Sequence, residues 1–433
     1  MFFCLGSSCD NLMSYSVRDI FWPLKQTDVC LPTIFIENFN VTNNPVFTQG
    51  ITGNRSAINF TSSLKQYFVI DYGYDFRNRS FTISLWLYYI IPADYYHMIF
   101  ASCSQTNASQ CLGLYIFSDW AVFNFFDVPT VRTVSLNNNS WYHIAGIYDI
   151  TTGNRSIYLN GIKNSEQNVT MYEGNITNIT IGWASHMINS YLNGLMDRLS
   201  LINQAMSADE VLQEATLTAY YSFNTSIEQD SGPNRLHGSG YNVNLTNSSL
   251  GDHALRFSNN SNGSYFQAEN FLLLGFSNYS FSISFWILPI QSERNSSVLF
   301  MSWSNGGCLP IIGLNSSGTI NAQVENRSQE IVNIARFISF NYWALITLTY
   351  DTDDLTLYAN DQLVQTISQV DYKGRGSPVT LTLGYSPTLI DCPSPHIIPG
   401  PFEGYIDEFR VYSRCLTSDE ITAMYNAYRV SGT

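Results

Sequence analysis

Charged residues are scarce in this chain of 433 residues. They account for 12 % of it, about half the share usual in globular proteins, and lysine occurs only four times. Aspartate and glutamate number 34 against 20 lysine and arginine residues, which gives a net charge of −14. So few charges argue against intrinsic disorder and against a coiled coil. A surface of this sign would repel nucleic acid and an anionic bilayer, so no nucleic-acid partner is expected.

Several chemical signatures are also missing from the sequence. No apolar run approaches the roughly 18 residues of a membrane-spanning helix, so no membrane span is expected. The absence of any Cys-x-x-Cys pair excludes zinc ribbons and thioredoxin-like chemistry. The six histidines form no ligand-spaced set, and no Gly-x-Ser-x-Gly motif occurs. Hydrophobic residues still make up 45 % of the chain, which is long enough for two domains of about 200 residues.

Asparagine is abundant where charge is scarce. The 41 Asn and 81 Ser plus Thr residues would produce about eight Asn-x-Ser/Thr triplets by chance, but the chain has 19 of these N-glycosylation motifs. Their asparagines are Asn40, Asn54, Asn59, Asn78, Asn107, Asn138, Asn154, Asn168, Asn175, Asn178, Asn224, Asn244, Asn247, Asn259, Asn262, Asn278, Asn295, Asn315 and Asn326. The excess indicates a secreted, extracellular protein that carries N-linked glycans. A general bias toward asparagine is the alternative interpretation.

Eight cysteines agree with an oxidising, extracellular compartment. Cys103 and Cys111 flank a seven-residue polar loop, so we expect a disulfide that closes a hairpin. Cys308 and Cys392 both lie in predicted loops of the second half and form the second expected pair. Four cysteines remain with open connectivity: Cys4, Cys9, Cys30 and Cys415.

The chain contains an internal repeat with an offset of about 200 residues. SFTISLWL at 80–87 matches SFSISFWI at 280–287, and WYHIAGIYD at 141–149 matches WALITLTYD at 343–351. A third pair follows in the same order: GLMDRL at 194–199 and GYIDEF at 404–409. We therefore predict a tandem duplication.

Each repeat is predicted to consist of strands. In 80–87, apolar side chains alternate with Thr82, Ser84 and Trp86, which indicates a sheet with one buried face. Asn160-Gly161 is typical of a type I′ hairpin turn, and Asn360-Asp361 repeats it more weakly. Many short strands separated by Gly and Asn turns indicate antiparallel β-sandwiches.

Helix is predicted only where each repeat ends. Ser-Ala-Asp-Glu at 207–210 and Thr-Ser-Asp-Glu at 417–420 are both capping boxes. The predicted fold class is thus all-β, with two tandem antiparallel β-sandwich (jelly-roll) domains, each closed by a short C-terminal helix. The expected division is an N-terminal extension at 1–19, repeat 1 at 20–216 and repeat 2 at 217–433.

Three segments of repeat 2 carry a family resemblance. They are DSGPNRLHG at 230–238, the strand at 280–287 and GYIDEFRVYSRCLTSDEI at 404–421. Together they make the chain resemble the concanavalin A-like laminin G/pentraxin-type (LamG-like) jelly roll, over about residues 18–216 and 217–430. Fold analogy alone does not establish an activity.

The resemblance implies a calcium ion beside the closing strand of each repeat. In repeat 2 the matching residues are Asp230 and Asp407, with Asn234 as a further oxygen donor; in repeat 1 they are Asp28 and Asp197. The alternative is that Asp230 caps a turn and that Asp407 satisfies buried backbone amides.

The same superfamily includes glucanases, which need closely spaced carboxylates. Their Glu-x-Asp-x-x-Glu pattern is absent, and Glu403, Asp407 and Glu408 have the wrong spacing, so we expect no enzyme. Trp86 and Trp286 have the outward phase of their strands and are candidate ligand-binding residues for a sugar. A structural tryptophan covered by a loop is the alternative for both.

Two functions suit these features. The first is a secreted, heavily N-glycosylated, non-enzymatic adhesion or recognition protein with two calcium-bearing, lectin-like sandwiches and a protein or glycan partner outside the cell. The second is a structural subunit that assembles with copies of itself into a glycosylated fibre or coat. Cys4 and Cys9 could link neighbouring subunits, although an intrachain disulfide is the alternative.

The distribution of the 19 motifs predicts where a partner docks. None lies in 327–433, whereas the equivalent stretch of repeat 1 has five. A glycan blocks close contact between protein surfaces, so we expect 327–433 to make the main protein contact. The alternative is uneven use of asparagine, because only four Asn residues fall there.

Overall fold

The chain is described by a computed structural model. The described residues are 19–22, 39–51, 53–90, 96–103, 111–125, 130–169, 172, 174, 177–185, 187, 189–259, 261–291, 293–392 and 394–429. The expected roles of Cys4, Cys9, Asp28 and Cys30 fall outside these residues. The chain divides into two compact units, 1–215 (unit 1) and 216–433 (unit 2), close to the predicted boundary.

Unit 1 is built from two antiparallel sheets. Its strands are β1 Asp19–Trp22, β2 Phe39–Thr42, β3 Val46–Gly50, β4 Gly53–Phe60, β5 Tyr67–Tyr74, β6 Phe81–Tyr89, β7 Tyr96–Cys103, β8 Cys111–Phe117, β9 Trp120–Phe125, β10 Val131–Arg132, β11 Ser140–Asp149, β12 Asn154–Leu159, β13 Ile162–Asn168, β14 Thr177–Ile181 and β15 Gly194–Ile202. The eight-stranded sheet has the order β13-β12-β11-β6-β15-β4-β3, with β1 also paired to β15. The seven-stranded sheet has the order β10-β9-β8-β7-β14-β5-β2.

Unit 2 repeats this topology strand for strand. Its strands are β16 Leu217–Tyr221, β17 Ser239–Tyr241, β18 Asn244–Asn247, β19 His253–Phe257, β20 Ser264–Phe271, β21 Phe281–Pro289, β22 Ser296–Trp303, β23 Cys308–Leu314, β24 Thr319–Glu325, β25 Ile331–Phe337, β26 Ala344–Asp351, β27 Asp354–Ala359, β28 Gln362–Ile367, β29 Val379–Tyr385 and β30 Gly404–Tyr412. The sheet orders are β18-β19-β30-β21-β26-β27-β28, with β16 also on β30, and β17-β20-β29-β22-β23-β24-β25. The tandem all-β sandwich prediction is confirmed.

The core of each unit lies between its two sheets. In unit 1 it includes Phe81, Ile83 and Leu85 of β6, and in unit 2 it includes Phe281 and Ile283 of β21. These are the apolar positions of the alternating pattern, so the inward phase was predicted correctly.

The prediction of only one buried face is wrong for these two central strands. In β6 the polar-phase residues Thr82 and Ser84 are buried as well as the apolar ones. Their hydroxyls are satisfied from the segment that follows β15: Thr82 Oγ1 donates to the Gln204 carbonyl (2.8 Å), and Ser84 Oγ donates to the Glu214 carboxylate (2.7 Å). A covering segment on the outer face explains the burial.

That covering segment is the helix that closes each unit. Helix α1 spans Ala208–Thr216 and helix α2 spans Ser418–Arg429. Both begin with the predicted capping box: Glu210 N–H donates to Ser207 Oγ (3.3 Å) while the Glu210 side chain accepts from Ser207 N–H (2.7 Å). In the parts of the chain that the structure describes, no helix has the length and hydropathy of a membrane span.

Both predicted disulfides are formed. Cys103 at the end of β7 is bonded to Cys111 at the start of β8, and Cys308 at the start of β23 is bonded to Cys392. Among the described cysteines, Cys415 is free.

The hairpin turn between β12 and β13 places helix α1. Asn160 and Gly161 both have positive φ, 50° and 84°, as the predicted type I′ turn requires. Asn160 Oδ1 accepts the His143 N–H (2.9 Å). A Cβ on Gly161 would lie 2.8 Å from Leu212 Cδ1 and 2.9 Å from its Cα, so the helix rests directly on the turn.

We therefore expect Gly161→Ala to destabilise unit 1 by about 3 kcal/mol, since a left-handed alanine costs about 1 to 2 kcal/mol and the clash with α1 adds to it. Gly376→Ala is the control, because Gly376 also has positive φ (68°) but no neighbour within 4 Å of the added Cβ. This control should lower the free energy of unfolding only by the cost of the left-handed alanine, because it adds no clash. Urea unfolding measures both, and equal losses would contradict the contact with α1.

Candidate functional site

An aromatic cluster lies on the outer face of the seven-stranded sheet of unit 1. Tyr96 of β7 pairs with Phe117 of β8, and their rings are 4.8 Å apart. Phe117 pairs with Trp120 of β9, at a ring distance of 6.4 Å. The guanidinium of Arg132 lies 4.2 Å above the Trp120 ring. We call Tyr96, Phe117, Trp120 and Arg132 the aromatic platform.

The β8–β9 hairpin explains why these rings face outward. Leu114 and Ile116 of β8 point into the core, so Tyr115 and Phe117 take the opposite phase. The turn is two residues long, with Ser118 at φ 58°, and it places Trp120 directly across from Phe117. Trp120 Nε1 donates to Ser135 Oγ (3.1 Å), which holds the indole in place.

Buried side chains continue the platform toward the middle of the sheet. Met98, Tyr115 and Val122 lie on the same outer face, two positions along their strands from the platform rings, and they cluster with Ala184 and Met187 of the segment after β14. Burial raises the pKa of Tyr115. The platform itself remains accessible: Tyr96 is 39 % exposed, Arg132 is exposed, and Phe117 and Trp120 are half-buried.

A second aromatic group flanks the platform at the same end of the sheet. Trp183, just after β14, stacks on Tyr191 at 6.1 Å and lies 4.9 Å from Tyr67 of β5. His97 of β7 contacts the Tyr191 carbonyl through Nδ1 (2.7 Å), which fixes the loop after β14. All three aromatic residues are half-buried. The end of this sheet thus presents flat apolar faces beside polar edges, the character of a sugar-binding surface.

The corresponding face of unit 2 is covered. The segment 386–403, between β29 and β30, is longer than its counterpart 182–193 in unit 1. Its Ser394 Oγ accepts a hydrogen bond from Gln323 of β24 (2.7 Å), and Ile397 packs where a side chain on Gly313 of β23 would lie. The Cys308–Cys392 disulfide ties the segment to the sheet. Gln323 is fully buried as a result.

Trp86 and Trp286 are not on an open face. They are only 5 % and 3 % exposed. Trp286 stacks on Tyr425 of α2 at 5.7 Å, and Trp86 lies against His143 at 5.5 Å. Since the closing helices cover the outer faces of the eight-stranded sheets, direct sugar contact by either indole does not fit the structure. Both are packing residues, and Trp286 is covered by α2 rather than by the loop that the sequence suggested.

The two tryptophans were selected for the outward phase of their strands, and the platform, which is not repeated in unit 2, was missed. Trp120 opens β9, but its counterpart at the start of β24 is Thr319. The available signal was local: aromatic residues on both sides of the Ser118-Asp119 turn.

Asp230, the first predicted calcium ligand, organises a loop. Its Oδ1 accepts the N–H groups of Tyr220 and Gly232 (both 2.8 Å), and its Oδ2 accepts that of Leu236 (2.7 Å). Burial raises the pKa of this carboxyl although the three N–H bonds oppose the shift. Asn234 in the same loop donates to the carbonyl of Thr218 (3.0 Å). Three donors aimed at one carboxylate suit a turn cap better than a calcium ligand.

Asp407 and its counterpart Asp197 lie at a bulge of the closing strand. The residue after each has positive φ, 52° at Arg198 and 55° at Glu408, and the register of β15 and β30 shifts there. Asp407 is 1 % exposed, and its Oδ1 accepts the Glu408 N–H (2.8 Å). Asp197 Oδ2 accepts from Ser56 Oγ (2.8 Å). Across the described residues, no group of three His, Cys, Asp or Glu side chains could hold a metal.

Glu408 belongs to a buried polar cluster beneath α2. It forms an ion pair with Arg410 and accepts a hydrogen bond from the Tyr220 hydroxyl (2.7 Å). Arg410 also contacts the Tyr428 hydroxyl of α2 (3.4 Å) and lies 4.3 Å from the Tyr220 ring. Glu403, by contrast, pairs with Arg256 (3.2 Å) at a half-buried site. These contacts use the carboxylates to hold the helix and strands together.

A profile of the concanavalin A-like lectin/glucanases superfamily matches residues 61–212 and 260–422. The chain belongs to this superfamily, as the sequence resemblance implied. Among curated proteins, no sequence matches it.

Solved structures with a similar arrangement include binding domains of two toxins. The binding domain of Paraclostridial Mosquitocidal Protein 1 is 20 % identical, with a TM-score of 0.38 over 50 % of this chain and 53 % of that one. That of botulinum neurotoxin serotype G is 16 % identical, with a TM-score of 0.38 over 49 % and 51 %. The chain spans about half the length of these toxin domains.

A third similar structure is domain 4 of AbnA, a GH43 extracellular arabinanase from Geobacillus stearothermophilus, in complex with arabinotriose. It is 20 % identical, with a TM-score of 0.38 over 48 % of this chain and 98 % of that domain. Likenesses of this size identify no ligand for the present protein.

We expect Asp230→Ala to destabilise unit 2 by about 2 to 4 kcal/mol, because three backbone N–H groups lose their acceptor. Asp230→Asn, which keeps one oxygen acceptor, should cost less. Unfolding is followed with EDTA and with added calcium. The calcium prediction stays a prediction here: if added calcium stabilises the wild type but neither variant, Asp230 is a ligand and the turn-cap interpretation fails.

Asp407 should make stability depend on pH. Burial, and then the nearby Glu408 carboxylate, raise its pKa to about 8, whereas an unfolded aspartate has a pKa near 4. The folded state therefore binds the extra proton between about pH 4 and 8, so the free energy of unfolding falls as the pH rises through that range.

We expect Asp407→Asn to match the wild type near pH 4 and to be more stable than it near pH 8, with a flatter pH profile between them. Asp361→Asn, at the half-buried turn between β27 and β28, is the control and should leave the wild-type slope unchanged. Thermal unfolding in EDTA across this range measures the slopes. Parallel profiles for wild type and Asp407→Asn would refute the assignment.

Proposed function

We infer that this protein is a non-enzymatic recognition protein that binds carbohydrate through the aromatic platform of unit 1. The observation that carries the inference is the platform itself: three adjacent aromatic rings and an arginine, partly exposed on a rigid sheet. A sugar ring has one apolar C–H face and a polar rim, and it matches a flat aromatic ring with hydrogen-bond donors beside it.

Arg132 would provide the polar part of this recognition. Its guanidinium lies 4.2 Å from the centre of the Trp120 ring and keeps N–H donors available for a ligand. A hydroxyl or carboxylate of a glycan bound against the platform rings beside Arg132 would meet those donors. Because the rings lie on paired strands rather than on a free loop, little ordering entropy is lost on binding.

An extracellular, N-glycosylated state is part of this proposal, and two observations support it. Two disulfides are formed, which is typical of oxidising compartments. The asparagine side chains of the glycosylation motifs are exposed or half-buried wherever the structure describes them. Asn78 and Asn278 occupy equivalent turns before β6 and β21, both with positive φ and both exposed. Glycans attached at such turns would point into solvent and leave the sheets intact.

The placement of the carboxylates supports a role without catalysis. Asp407 and Glu408 are 1 % and 2 % exposed beneath α2, where a sugar has no access. Glycoside hydrolysis needs two carboxyl groups on either side of an accessible bond. Calcium is not required by this proposal, since the platform contains no carboxylate.

One site per chain is expected, because the corresponding face of unit 2 lies beneath the disulfide-tied segment 386–403. A stoichiometry of two sugars per chain would contradict this assignment. Isothermal titration with the glycan selected from an array measures it.

We expect Trp120→Ala and Arg132→Ala each to weaken glycan binding at least about tenfold, the effect of losing about 1.4 kcal/mol at a central contact. Tyr342→Ala is the matched control, because Tyr342 is a 71 % exposed aromatic residue of unit 2. Glycan-array screening of the wild type comes first, followed by titration of each variant. Unchanged affinity in both platform variants, with native circular dichroism, would refute the proposed site.

A further inference from the structure

The last strand of the eight-stranded sheet in unit 2, β28, has an unprotected edge. It pairs with β27 on one side, and among the described strands no other pairs with it. Its sequence, Gln-Leu-Val-Gln-Thr-Ile, contains no charge, no proline and no glycosylation motif. Four of its six side chains are exposed, and Leu363 is 58 % exposed. Such an edge presents free backbone N–H and C=O groups that favour pairing with another strand.

The equivalent strand of unit 1, β13, is protected by charge and by potential glycans. Lys163 takes the position of Leu363, as both pair with the corresponding tyrosine of the preceding strand. Lys163 also forms a salt bridge with Glu166 (2.7 Å) on the same strand. Asn168 at the end of β13 pairs with Asn154 of β12, so two glycosylation motifs face each other at this edge.

Side-chain hydrogen bonds close the unit 1 edge further. Ser165 Oγ accepts the Arg132 N–H and donates to the Arg132 carbonyl, both at 2.8 Å. Asn164 Oδ1 accepts the Val134 N–H (2.9 Å). These bonds join β13 to the neighbouring edge strand β10 of the other sheet. Within the fully described strands β25 and β28 of unit 2, no such bond joins the two edges.

Five of the six remaining end strands are protected in comparable ways; the sixth, β3, is five residues long and has neither a charge nor a motif. β2 contains the motif at Asn40, and β18 contains those at Asn244 and Asn247. β10 and β17 are only two and three residues long. β25 follows a turn that carries the motif at Asn326. A natural sheet protein blocks its edges by such means, and β28 has none of them.

We propose that β28 pairs antiparallel with β28 of a second copy of this chain, across a two-fold axis, so that the two eight-stranded sheets become continuous. Two identical antiparallel edges are self-complementary, because each group on one copy meets the same group on the other. No charged side chain of β28 would be buried beside Leu363 and Val364. A partner strand with charged side chains would bury those charges unpaired at this contact. The uncharged edge of another copy therefore suits β28 best.

The charges at the two ends of β28 determine how this dimer responds to salt. Asp361 precedes the strand, and Asp354, at the start of β27, lies beside its end. An antiparallel pair brings the Asp361 end of one copy to the Asp354 end of the other, and each chain has a net charge of −14. Salt screens this repulsion, so the dimer should strengthen as salt rises. A contact with a basic partner would weaken instead.

Analytical ultracentrifugation of the glycosylated chain between about 1 and 100 μM, where weak protein contacts are measurable, tests the proposal. We expect reversible dimers whose dissociation constant falls when NaCl rises from about 0.05 to 0.5 M. Leu363→Lys, which copies the residue of β13, should raise that constant at least tenfold. Gln362→Thr, which creates a glycosylation motif at Asn360, should abolish the dimer once the glycan is attached.

Ile162→Lys in β13 is the matched control, because Ile162 is a 61 % exposed aliphatic residue on the equivalent edge. It should leave the dissociation constant unchanged. The proposal is overturned if the wild type stays monomeric over the whole range, if Ile162→Lys weakens the dimer as much as Leu363→Lys, or if salt weakens association. Near-ultraviolet circular dichroism confirms that each variant is folded, and Gln362→Thr provides the result should Leu363→Lys misfold.

Discussion

Burial of both faces of the eight-stranded sheets is the constraint on which the rest of each unit depends. One face packs on the other sheet and the second packs beneath the closing helix, so strands such as β6 and β21 are inaccessible along most of their length. In β6 and β21 the serine and threonine hydroxyls of the outer phase are paired, as Ser284 is with Thr347 (2.8 Å). The seven-stranded sheets have only loops on their outer faces, and in unit 1 the aromatic platform at the end of this sheet stays accessible to a ligand.

The outer face of the seven-stranded sheet differs between the two units because one cysteine of each unit has a different disulfide partner. Cys111 and Cys308 each open the second strand of the same hairpin, but Cys111 bonds to the neighbouring strand whereas Cys308 bonds to the segment after β29. The first arrangement closes the hairpin locally and leaves the sheet face to aromatic side chains. The second brings a longer segment down over the face, where Gly313 and Gln323 leave room and provide a hydrogen bond for it. The two repeats thus share one fold, but the outer face of the seven-stranded sheet is accessible at the platform in unit 1 and covered in unit 2.

Much of the fold was predictable because its signals are local or repeated. The type I′ turn at Asn160-Gly161, both capping boxes and the Cys103–Cys111 disulfide depend on residues close in sequence or on an evident duplication. The Cys308–Cys392 pair spans 84 residues and was predicted only from two cysteines in loops of the same repeat. What covers a sheet was not predictable in this way. The outward phase of Trp286 is correct, but α2 lies more than 130 residues later and covers it. The role of Asp230 also depends on one backbone donor from β16, the Tyr220 N–H, which no sequence motif shows.

The scarcity of charge explains why glycosylation motifs and strand edges must be considered together. In most sheet proteins, lysine on an edge strand prevents unwanted pairing, but this chain has four lysines. Bulky hydrated glycans can block an edge equally well, since they prevent the close approach that a backbone hydrogen bond requires. Where β13 has both a lysine and two facing motifs, the edge is doubly protected. The same reasoning applies to the stretch after residue 326, which has no glycosylation motif and contains β28. In a chain with so little charge, an edge strand without a motif has nothing to prevent pairing with another strand.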